Sequence, residues 1–496
     1  MEINLSEEQS RALALAKEGK SLLITGPGGT GKTFLIREIV KELKGVFKIV
    51  GVSALTGAAA SLMTDLGART LHSWAGMSAK DLTIEQRIKQ VMKRKECVQR
   101  WTDTDTLIID EVSMLTPRMA LELDIIGRRV RSKCLALPQA KEKPFGGLQI
   151  IFVGDFFQLP PIVPRGSKKT FIFEVLPEEK ERGVVPPFAS VIRSKKQVIV
   201  LRKNYRQTSD PVFQEILDNI RYGRVTGRAM AVLRDRVRVP PEGDLKPTRI
   251  LPTRAQVDMV NREEMKKLNV STEYKYEPDT MEKQIIYEAG EEAGGVDLDP
   301  VPSWKKLDRK PRMRLDPEDD DPVKNPSGLT EQRAIDEADK SGRYDPSLTL
   351  RIGAQVMITA NLDVEKGIAN GTRGVVRELS PNSVKISLKD GTMYKVRKFT
   401  FETAHSKIGR KQIPLILAWA ITIHKSQGQT IDYAEIDLGT RIFANGQAYV
   451  ALSRVRSLEG LFIRSFTRSA IRTSPEVLAF ARAIGDTCTF DEEDPQ

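Results

Sequence analysis

The chain has few of the residues that build covalent or metal-bound frameworks. Of its 496 residues, three are cysteine and three are histidine, and these six lie far apart: Cys97, Cys134, Cys488, His72, His405 and His424. This scatter gives neither a disulfide framework nor zinc-ligand spacing, and so little cysteine is typical of a reducing compartment. We therefore expect no structural metal site.

Long hydrophobic runs and targeting segments are also missing. No apolar run reaches the ~18 residues that a membrane helix needs, so we expect no membrane partner. The first residues, MEINLSEEQSRAL, lack the basic-then-apolar order of a secretory signal and the Arg- and Ser-rich pattern of an organelle signal. We expect an intracellular protein, or one trimmed to its core.

Positive charge, by contrast, is in excess. A net charge of +12 and a pI near 9.4 favour a polyanionic partner, most often nucleic acid. A basic surface without such a partner would give the same total. The length predicts roughly three domains.

Apolar runs that resemble strands alternate with helical periodicity, which is typical of a parallel sheet covered by helices. The first block contains SLLIT, FKIVGVSA, TLIID, LQIIFVGD and QVIVL. The second begins at RILPT, resumes at LRIGAQVMIT and continues from LPLILAWAITI to LFIRSF. The predicted fold class is therefore α/β, with two such units in tandem. Within the second unit, a buried strand is expected to run directly into the polar loop HKSQGQT.

Two insertions interrupt the second unit. Residues 273–346 are rich in Glu, Asp and Pro and are predicted to form a long, partly disordered insert. Residues 374–400 have short alternating runs, with a hairpin turn expected at Asp390-Gly391. They predict a small β-barrel or meander.

A glycine-rich segment matches the phosphate-binding loop G-x-x-x-x-G-K-[ST] between a predicted strand and helix. Its residues are Gly26, Pro27, Gly28, Gly29, Thr30, Gly31, Lys32 and Thr33. Backbone N–H groups and a helix N-terminus favour phosphate here. Lys32 is expected at the β- and γ-phosphates of ATP, and Thr33 is expected to ligate Mg²⁺.

An apolar strand ending in two acids supplies the partner to this loop. Asp110 is predicted to hold Mg²⁺, directly or through water, and Glu111 to orient or deprotonate the attacking water. A cap for the next helix, with Ser113 as an equal candidate, is the alternative. Near the N-terminus, Ser6 and Gln9 have capping-box spacing, which explains Gln9 without a ligand.

Three further segments carry groups suited to ATP hydrolysis. Gln158 in GDFFQLPP follows a strand and is expected to sense the γ-phosphate, while Arg206 and Arg454 are candidates to stabilise transition-state charge. Taken singly, each arginine is better explained as a surface or ion-pair residue.

Together these segments resemble the Pif1 family of superfamily 1 helicases. The resemblance rests on GPGGTGKT, SALTGAAA, RTLHSWAG, LIIDEVSML, PFGGLQIIFVGDFFQLPP, NYRQ, GAQVMIT, NGTRGVV, LPLILAWAITIHKSQGQT and GQAYVALSRV, in the family's order. It covers most of residues 5–263 and 349–466 and leaves the acidic insert unexplained. Trp74 stands where the family usually has Phe.

The resemblance implies two RecA-like domains with ATP in the cleft between them. The implied parts are domain 1A at 1–75 and 101–206, a 1B wedge at 76–100, domain 2A at 207–373 and 414–484 including the insert at 273–346, an SH3-like 2B insertion at 374–413, and an acidic tail at 485–496.

Residue roles follow from the same resemblance. Gln9 is implied as an adenine contact, Gln158 as a link between γ-phosphate and DNA, and Gln427 and Gly428 as neighbours of the γ-phosphate. Three polar segments are implied as contacts to one DNA strand: Thr56 and Gly57; Thr70, His72, Ser73 and Trp74; Thr422, His424, Lys425 and Ser426. Such groups hold phosphates without reading bases. The less favoured alternative for His72 is a buried histidine hydrogen-bonded to a loop, and Trp74 is equally explained as a core residue.

The resulting hypothesis is a largely monomeric, ATP- and Mg²⁺-dependent 5′-to-3′ DNA helicase that moves on single-stranded DNA. G-quadruplexes and R-loops are substrates expected from the family, in the nucleus or mitochondrion if the source is eukaryotic. Alternatives are an ATP-gated single-strand binder, a helicase of opposite polarity such as the UvrD-like enzymes, and a phosphate-loop kinase. The kinase leaves the charge and the paired arginines unexplained.

Overall fold

A computed structural model describes residues 5–77, 82–135, 138–163, 169–175, 185–238, 245–286, 301–307, 330–340, 344–363, 366–403 and 407–487. The acidic tract at 317–322 and all but the first residues of the predicted tail lie outside these ranges. None of the helices within them has the length and apolar character of a membrane span.

The helices are numbered in chain order. They are α1 Glu7–Lys17, α2 Lys32–Gly45, α3 Gly57–Ser61, α4 Leu71–Ala75, α5 Ile84–Met92, α6 Lys95–Asp103, α7 Pro117–Cys134, α8 Pro187–Val191, α9 Pro211–Arg221, α10 Gly227–Asp235, α11 Arg254–Lys266, α12 Glu331–Lys340, α13 Ile423–Ser426, α14 Gln447–Leu452 and α15 Pro475–Ile484.

The strands follow in the same order. They are β1 Leu22–Thr25, β2 Val50–Ala54, β3 Arg69–Thr70, β4 Thr106–Asp110, β5 Gln149–Gly154, β6 Val198–Val200, β7 Thr248–Leu251, β8 Tyr274–Tyr276, β9 Asp279–Ile286, β10 Val301–Lys306, β11 Leu348–Leu350, β12 Gln355–Ile358, β13 Arg373–Ser380, β14 Ser383–Leu388, β15 Met393–Arg397, β16 Phe399–Glu402, β17 Ile408–Gln412, β18 Leu415–Leu417, β19 Ala420–Thr422, β20 Ala434–Leu438 and β21 Leu461–Phe466.

The first unit is a parallel sheet in the order β3-β2-β4-β5-β1-β6. Every residue of β1, β4 and β5 is buried, as expected for strands covered on both faces. Helix α1 begins with the predicted capping box: Gln9 N–H donates to Ser6 Oγ, and Ser6 N–H donates to Gln9 Oε1. The α/β prediction is confirmed for this unit.

The second unit is a parallel sheet in the order β19-β7-β20-β21. It therefore lacks two segments that were expected in it. Strands β12 and β18 pair antiparallel with each other and belong to a separate sheet, β15-β14-β13-β12-β18. The assignment of QVMI and LIL to the parallel sheet was wrong, because these strands pair within the antiparallel sheet, and Val356, Ile358 and Leu415 pack into its core.

The predicted continuous strand before HKSQGQT is two strands in two sheets. Ala418 and Trp419 separate β18 from β19, and the chain then enters a short helix, α13, rather than a loop. The antiparallel sheet reaches from β12 to β18, so the predicted limits of 374–413 are too narrow for it. The hairpin expected at Asp390-Gly391 joins β14 to β15, and Gly391 has φ of 83°.

The described part of the acidic insert is structured. Strands β9 and β10 pair with each other, and β9 continues the sheet through β17 to β16. Helix α12 is fixed to β17 by Arg410, whose Nε and Nη2 donate to Asp339 at 3.0 and 2.9 Å. Periodicity was hard to detect here because the apolar positions are interleaved with charges.

Candidate nucleotide and DNA site

The phosphate loop connects β1 to α2, and its backbone requires glycine. Gly26 has φ of 145°, and a Cβ there would lie 2.3 Å from the carbonyl oxygen of Leu201. Gly31 has φ of 80° and caps α2. Lys32 Nζ donates hydrogen bonds of 2.8 Å to the carbonyl oxygens of Gly26 and Pro27. The loop is thus a cradle that a side chain would fill, which fits a phosphate ligand.

Two carboxylates lie at the end of β4, both 8% exposed. Burial raises the pKa of Asp110 to about 6. Burial, and secondarily the neighbouring Asp110, raise the pKa of Glu111 to about 7, although Lys32 and Arg454 oppose the shift. Glu111 also has φ of 58°, a left-handed conformation that is uncommon for a non-glycine residue. A strained, buried carboxyl that titrates near neutrality suits a general base.

The donor set fits Mg²⁺. A site for this ion usually combines one or two carboxylates with phosphate oxygens and water. Asp110 offers a carboxylate and Thr33 a hydroxyl at the start of α2, beside the phosphate cradle. No cluster of three or more metal-ligating side chains occurs among the described residues, so the phosphates would complete such a site.

Gln427 connects the two units at the candidate catalytic carboxyl. Its Nε2 donates to Glu111 Oε2 at 2.8 Å and to Gln158 Oε1 at 3.3 Å. All three side chains are buried. The structure therefore brings together residues whose roles were predicted separately. Gly428, by contrast, faces the side chain of Leu62, and its nucleotide contact stays a prediction.

Arg206 and Arg454 converge on Gly28. A Cβ at Gly28 would lie 3.2 Å from Arg454 Nη2 and 3.6 Å from Arg206 Nη1. Burial, and then repulsion from Arg454, lower the pKa of Arg206 to about 9. Arg206 Nη1 donates to the carbonyl oxygen of Ser453 at 2.9 Å, which holds the two segments together. Two cations beside a phosphate loop, Arg454 buried and Arg206 half-buried, suit an anionic transition state.

The NYRQ segment wraps around the phosphate loop in a way that its sequence did not reveal. Asn204 Nδ2 donates to the carbonyl oxygen of Gly28 at 3.4 Å, and Tyr205 N–H donates to that of Gly29 at 2.8 Å. The Tyr205 ring is 41% exposed and lies beside Gly31. Gln9 Nε2 reaches the Thr30 carbonyl oxygen at 3.5 Å. Gln9 is thus both a cap and a neighbour of the loop.

The candidate DNA contacts of the first unit share one local design. Thr56 follows β2 and Thr70 ends β3, and each caps a short helix, accepting from the N–H of Ala59 at 3.1 Å and of Ser73 at 3.4 Å. A hydroxyl that accepts in this way still has its proton to donate. Gly57 opens α3, and His72 is exposed on α4.

Trp74, predicted as a DNA contact, lies in the core. Its ring is 3% exposed and packs edge-to-face against Trp101, with ring centroids 4.9 Å apart. The core alternative explains it, because the larger ring fills the space above Gly51, where a Cβ would lie 2.5 Å from Trp74 Nε1.

The candidate contacts of the second unit divide into accessible and buried groups. Thr422 is buried, at 6% exposed, and caps α13 by accepting from Lys425 N–H at 3.1 Å, the same hydrogen bond as at Thr56 and Thr70. His424 is half-buried and Lys425 exposed. Ser426 is fully buried and donates to the Ile423 carbonyl oxygen, so its side chain is not accessible for the predicted DNA contact. Burial, Arg254 and Lys169 lower the pKa of His424.

Comparison with known proteins bears on this geometry. The sequence model of the family described as "PIF1-like helicase" matches residues 4–229, and "DNA helicase Pif1, 2B domain" matches residues 340–379. "ATP-dependent DNA helicase Pif1" of Bdellovibrio bacteriovorus is 31% identical over 483 residues, covering 97% of this chain and 92% of that protein. The chain belongs to the PIF1-like helicase family.

Longer members of the PIF1-like helicase family match equally well. "ATP-dependent DNA helicase PIF1" of Danio rerio is 33% identical over 493 residues, and the chain spans 64% of its length. The crystal structure of Pif1 helicase from Candida albicans has a TM-score of 0.71 at 29% identity, covering 97% of this chain and 100% of that one. Bacteroides Pif1 in complex with ADP-AlF3 and ssDNA has a TM-score of 0.57 at 26% identity, with 98% of both chains covered.

Proposed function

We propose that the protein is an ATP-dependent DNA helicase that moves 5′-to-3′ along one strand and separates duplexes. The direction, and G-quadruplexes or R-loops as substrates, come from the family resemblance rather than from residue chemistry. The proposal includes a largely monomeric core that acts in an intracellular, DNA-containing compartment. It also includes the 1A, 1B, 2A and 2B division, with β12 and β18 added to 2B.

One contact carries the proposal: the bond from Gln427 to Glu111. Glu111 is the candidate base for hydrolysis, and Gln427 follows α13, whose His424 and Lys425 are accessible to a strand. A displacement of α13 by DNA therefore changes the surroundings of the base directly. A protein that only stored nucleotide would have no use for this connection.

Each charged group of the candidate site has a role in hydrolysis. Glu111, when deprotonated, accepts a proton from the attacking water, while Lys32, Arg206 and Arg454 stabilise charge on the phosphates. Mg²⁺, held by Asp110 and Thr33, would neutralise phosphate charge. Because Arg454 arrives from the second unit, the stabilisation is complete only when the two units are closed.

The names of the relatives support this proposal. Proteins that cover nearly all of this chain are called ATP-dependent DNA helicases, and one solved relative was crystallised with ADP-AlF3 and ssDNA. The net charge of +12 is also consistent with a polyanionic track.

The strand contacts in the proposal are hydroxyl, amine, imidazole and backbone donors. They are Thr56, Gly57, Thr70, His72 and Ser73 in the first unit, and Thr422, His424 and Lys425 in the second. Thr56 and Thr70, which are half-buried, can donate to phosphate oxygens while they cap helices, whereas Thr422 is only 6% exposed. None of these groups is proposed to read a base edge, which suits a motor that must pass every sequence.

The test is unwinding of duplexes that carry either a 5′ or a 3′ single-stranded tail. We expect ATP-dependent unwinding of the 5′-tailed duplex. Lys32→Ala and Glu111→Gln should abolish it while single-strand binding persists, and His424→Ala should reduce the DNA-stimulated ATPase rate more than the basal rate. Preference for the 3′ tail would refute the polarity. ATP-modulated strand binding without unwinding would make the protein a single-strand binder instead.

A further inference from the structure

Tyr449 reaches across the cleft to the phosphate loop. It lies on α14, just before Arg454, and its side chain is 3% exposed. The backbone N–H of Gly28 donates to Tyr449 Oη at 2.9 Å. A side chain of the second unit thus accepts the hydrogen bond of an amide in the loop that cradles phosphates.

The Tyr449 hydroxyl has a second hydrogen-bond partner, which lies in the first unit like Gly28. Tyr449 Oη donates to Asp155 Oδ2 at 3.2 Å. Burial and the Asp155 carboxylate raise the pKa of Tyr449 well above its ordinary value, so the hydroxyl stays protonated and can donate. It therefore accepts from the loop and donates to Asp155 at once.

Asp155 is itself fixed in place. Arg221 Nη2 donates to Asp155 Oδ1 at 3.0 Å and to Asp486 Oδ2 at 2.7 Å, and Tyr222 Oη donates to Asp486 at 2.8 Å. Arg221 is 1% exposed, and its Cζ lies 4.2 Å from the centroid of the Phe157 ring. Asp155 thus offers the phenol a permanent acceptor, whatever happens at Gly28.

The position of Gly28 identifies which phosphate is involved. Arg206 and Arg454 converge on this residue, and arginines of this kind act on the phosphate that is transferred. Resting on the proposed ATPase function, we propose that Tyr449 competes with the terminal phosphate of ATP for the Gly28 amide. One N–H cannot fully serve two acceptors, so binding of ATP displaces the phenol from Gly28.

Through this competition Tyr449 controls the contact between α14 and the phosphate loop without touching the reacting atoms, so it is a positioning residue. Displacement breaks a direct bond between α14 and the phosphate loop, while the bond from Tyr449 to Asp155 can remain. When ATP binds, the contact between Tyr449 and Gly28 is thereby replaced by contacts from Arg206 and Arg454 to the bound phosphate. The hydroxyl lowers ATP affinity by the free energy of the bond it makes to Gly28.

Tyr449→Phe tests the proposal because it removes the hydroxyl and keeps the ring. Tyr222→Phe is the matched control, since it removes a hydroxyl from the same buried network away from the phosphate loop. Both variants and the wild type are titrated in the absence of DNA. One titration uses a fluorescent non-hydrolysable ATP analogue with Mg²⁺, and the other uses the corresponding fluorescent ADP. We expect Tyr449→Phe to bind the ATP analogue about 2- to 10-fold more tightly, the equivalent of one net hydrogen bond. ADP affinity and both affinities of Tyr222→Phe should match the wild type.

Unchanged or weaker analogue binding by Tyr449→Phe would overturn the proposal, as would equal tightening by Tyr222→Phe. A wild-type protein that binds neither nucleotide would instead refute the proposed function. The rise in melting temperature that the analogue produces, measured for each variant against its own ligand-free sample, gives a second readout that does not depend on absolute stability.

Discussion

Replacing Gly28 by alanine adds one methyl group where Arg206 and Arg454 meet the phosphate loop. The backbone of Gly28 is outside the left-handed region, so alanine introduces no backbone strain. The new Cβ would lie 3.2 Å from Arg454 Nη2, 3.5 Å from Ser453 Oγ and 3.6 Å from Arg206 Nη1. Because ordinary carbon contacts are about 3.5–4.0 Å, the Arg454 guanidinium must move by several tenths of an ångström.

This small displacement should affect hydrolysis more than binding. A misplacement of about 1 Å can cost 100-fold in rate, and an arginine of this kind contributes about 10³-fold or more. We expect Gly28→Ala to lower kcat for ATP by about 10- to 100-fold, or about 1.4–2.7 kcal/mol of transition-state stabilisation. ATP-analogue affinity should stay within a few-fold, since the Gly28 N–H is retained.

Gly45→Ala is the matched control, because it makes the same substitution at the other end of α2, where a Cβ meets nothing within 4 Å. Steady-state ATPase rates with and without single-stranded DNA, with nucleotide titrations, separate the two effects. A Gly28→Ala enzyme with wild-type kcat would refute the assignment of Arg206 and Arg454. So would a loss of rate fully explained by lost nucleotide binding.

Two further predictions concern protons and stability. Since burial raises the pKa of Glu111 to about 7, kcat/KM for ATP should rise as pH increases through about 7. Gln427→Ala should move the midpoint of this pH profile to higher pH, because the Gln427 amide N–H stabilises the Glu111 carboxylate. A flat wild-type profile would exclude Glu111 as the base. Arg221→Ala leaves Asp155 and Asp486 without their shared cation and should lower the free energy of unfolding by about 3–5 kcal/mol. Arg228→Ala removes an exposed ion pair with Glu215 and should lower it by at most about 1 kcal/mol. Thermal unfolding of both variants measures this, and equal melting temperatures would contradict the reasoning.

The parallel sheets and the phosphate loop were predictable because each has a local signature. Strand β1, the glycines and Lys32 follow one another in the chain, so their geometry is encoded in adjacent residues. Spacing likewise identified the Ser6–Gln9 capping box. The roles of Gln158, Arg206 and Arg454 needed the family resemblance, since nothing local distinguishes them from surface residues.

What could not be predicted depends on distant partners. An apolar run does not reveal which sheet it joins, so the sequence predicts a single strand where the structure has β18 and β19. Exposure was equally hidden: Ser426 and Trp74 resemble their accessible neighbours in sequence but face the interior. The role of Tyr449 has no local signal in the sequence, because it depends on hydrogen bonds to Gly28 and Asp155, both of which lie in the other unit.

The two-residue joint between β18 and β19 has a mechanical consequence. Ala418 and Trp419 are buried, and Ala418 is bonded on both sides: its N–H donates to the Gln355 carbonyl oxygen, and its own carbonyl oxygen accepts from Thr248. These two bonds tie the joint to β12 of the antiparallel sheet and to β7 of the parallel sheet. A rotation of the antiparallel sheet should therefore carry β19 and the start of α13 with it. We expect a load on that sheet to reach His424 and Gln427.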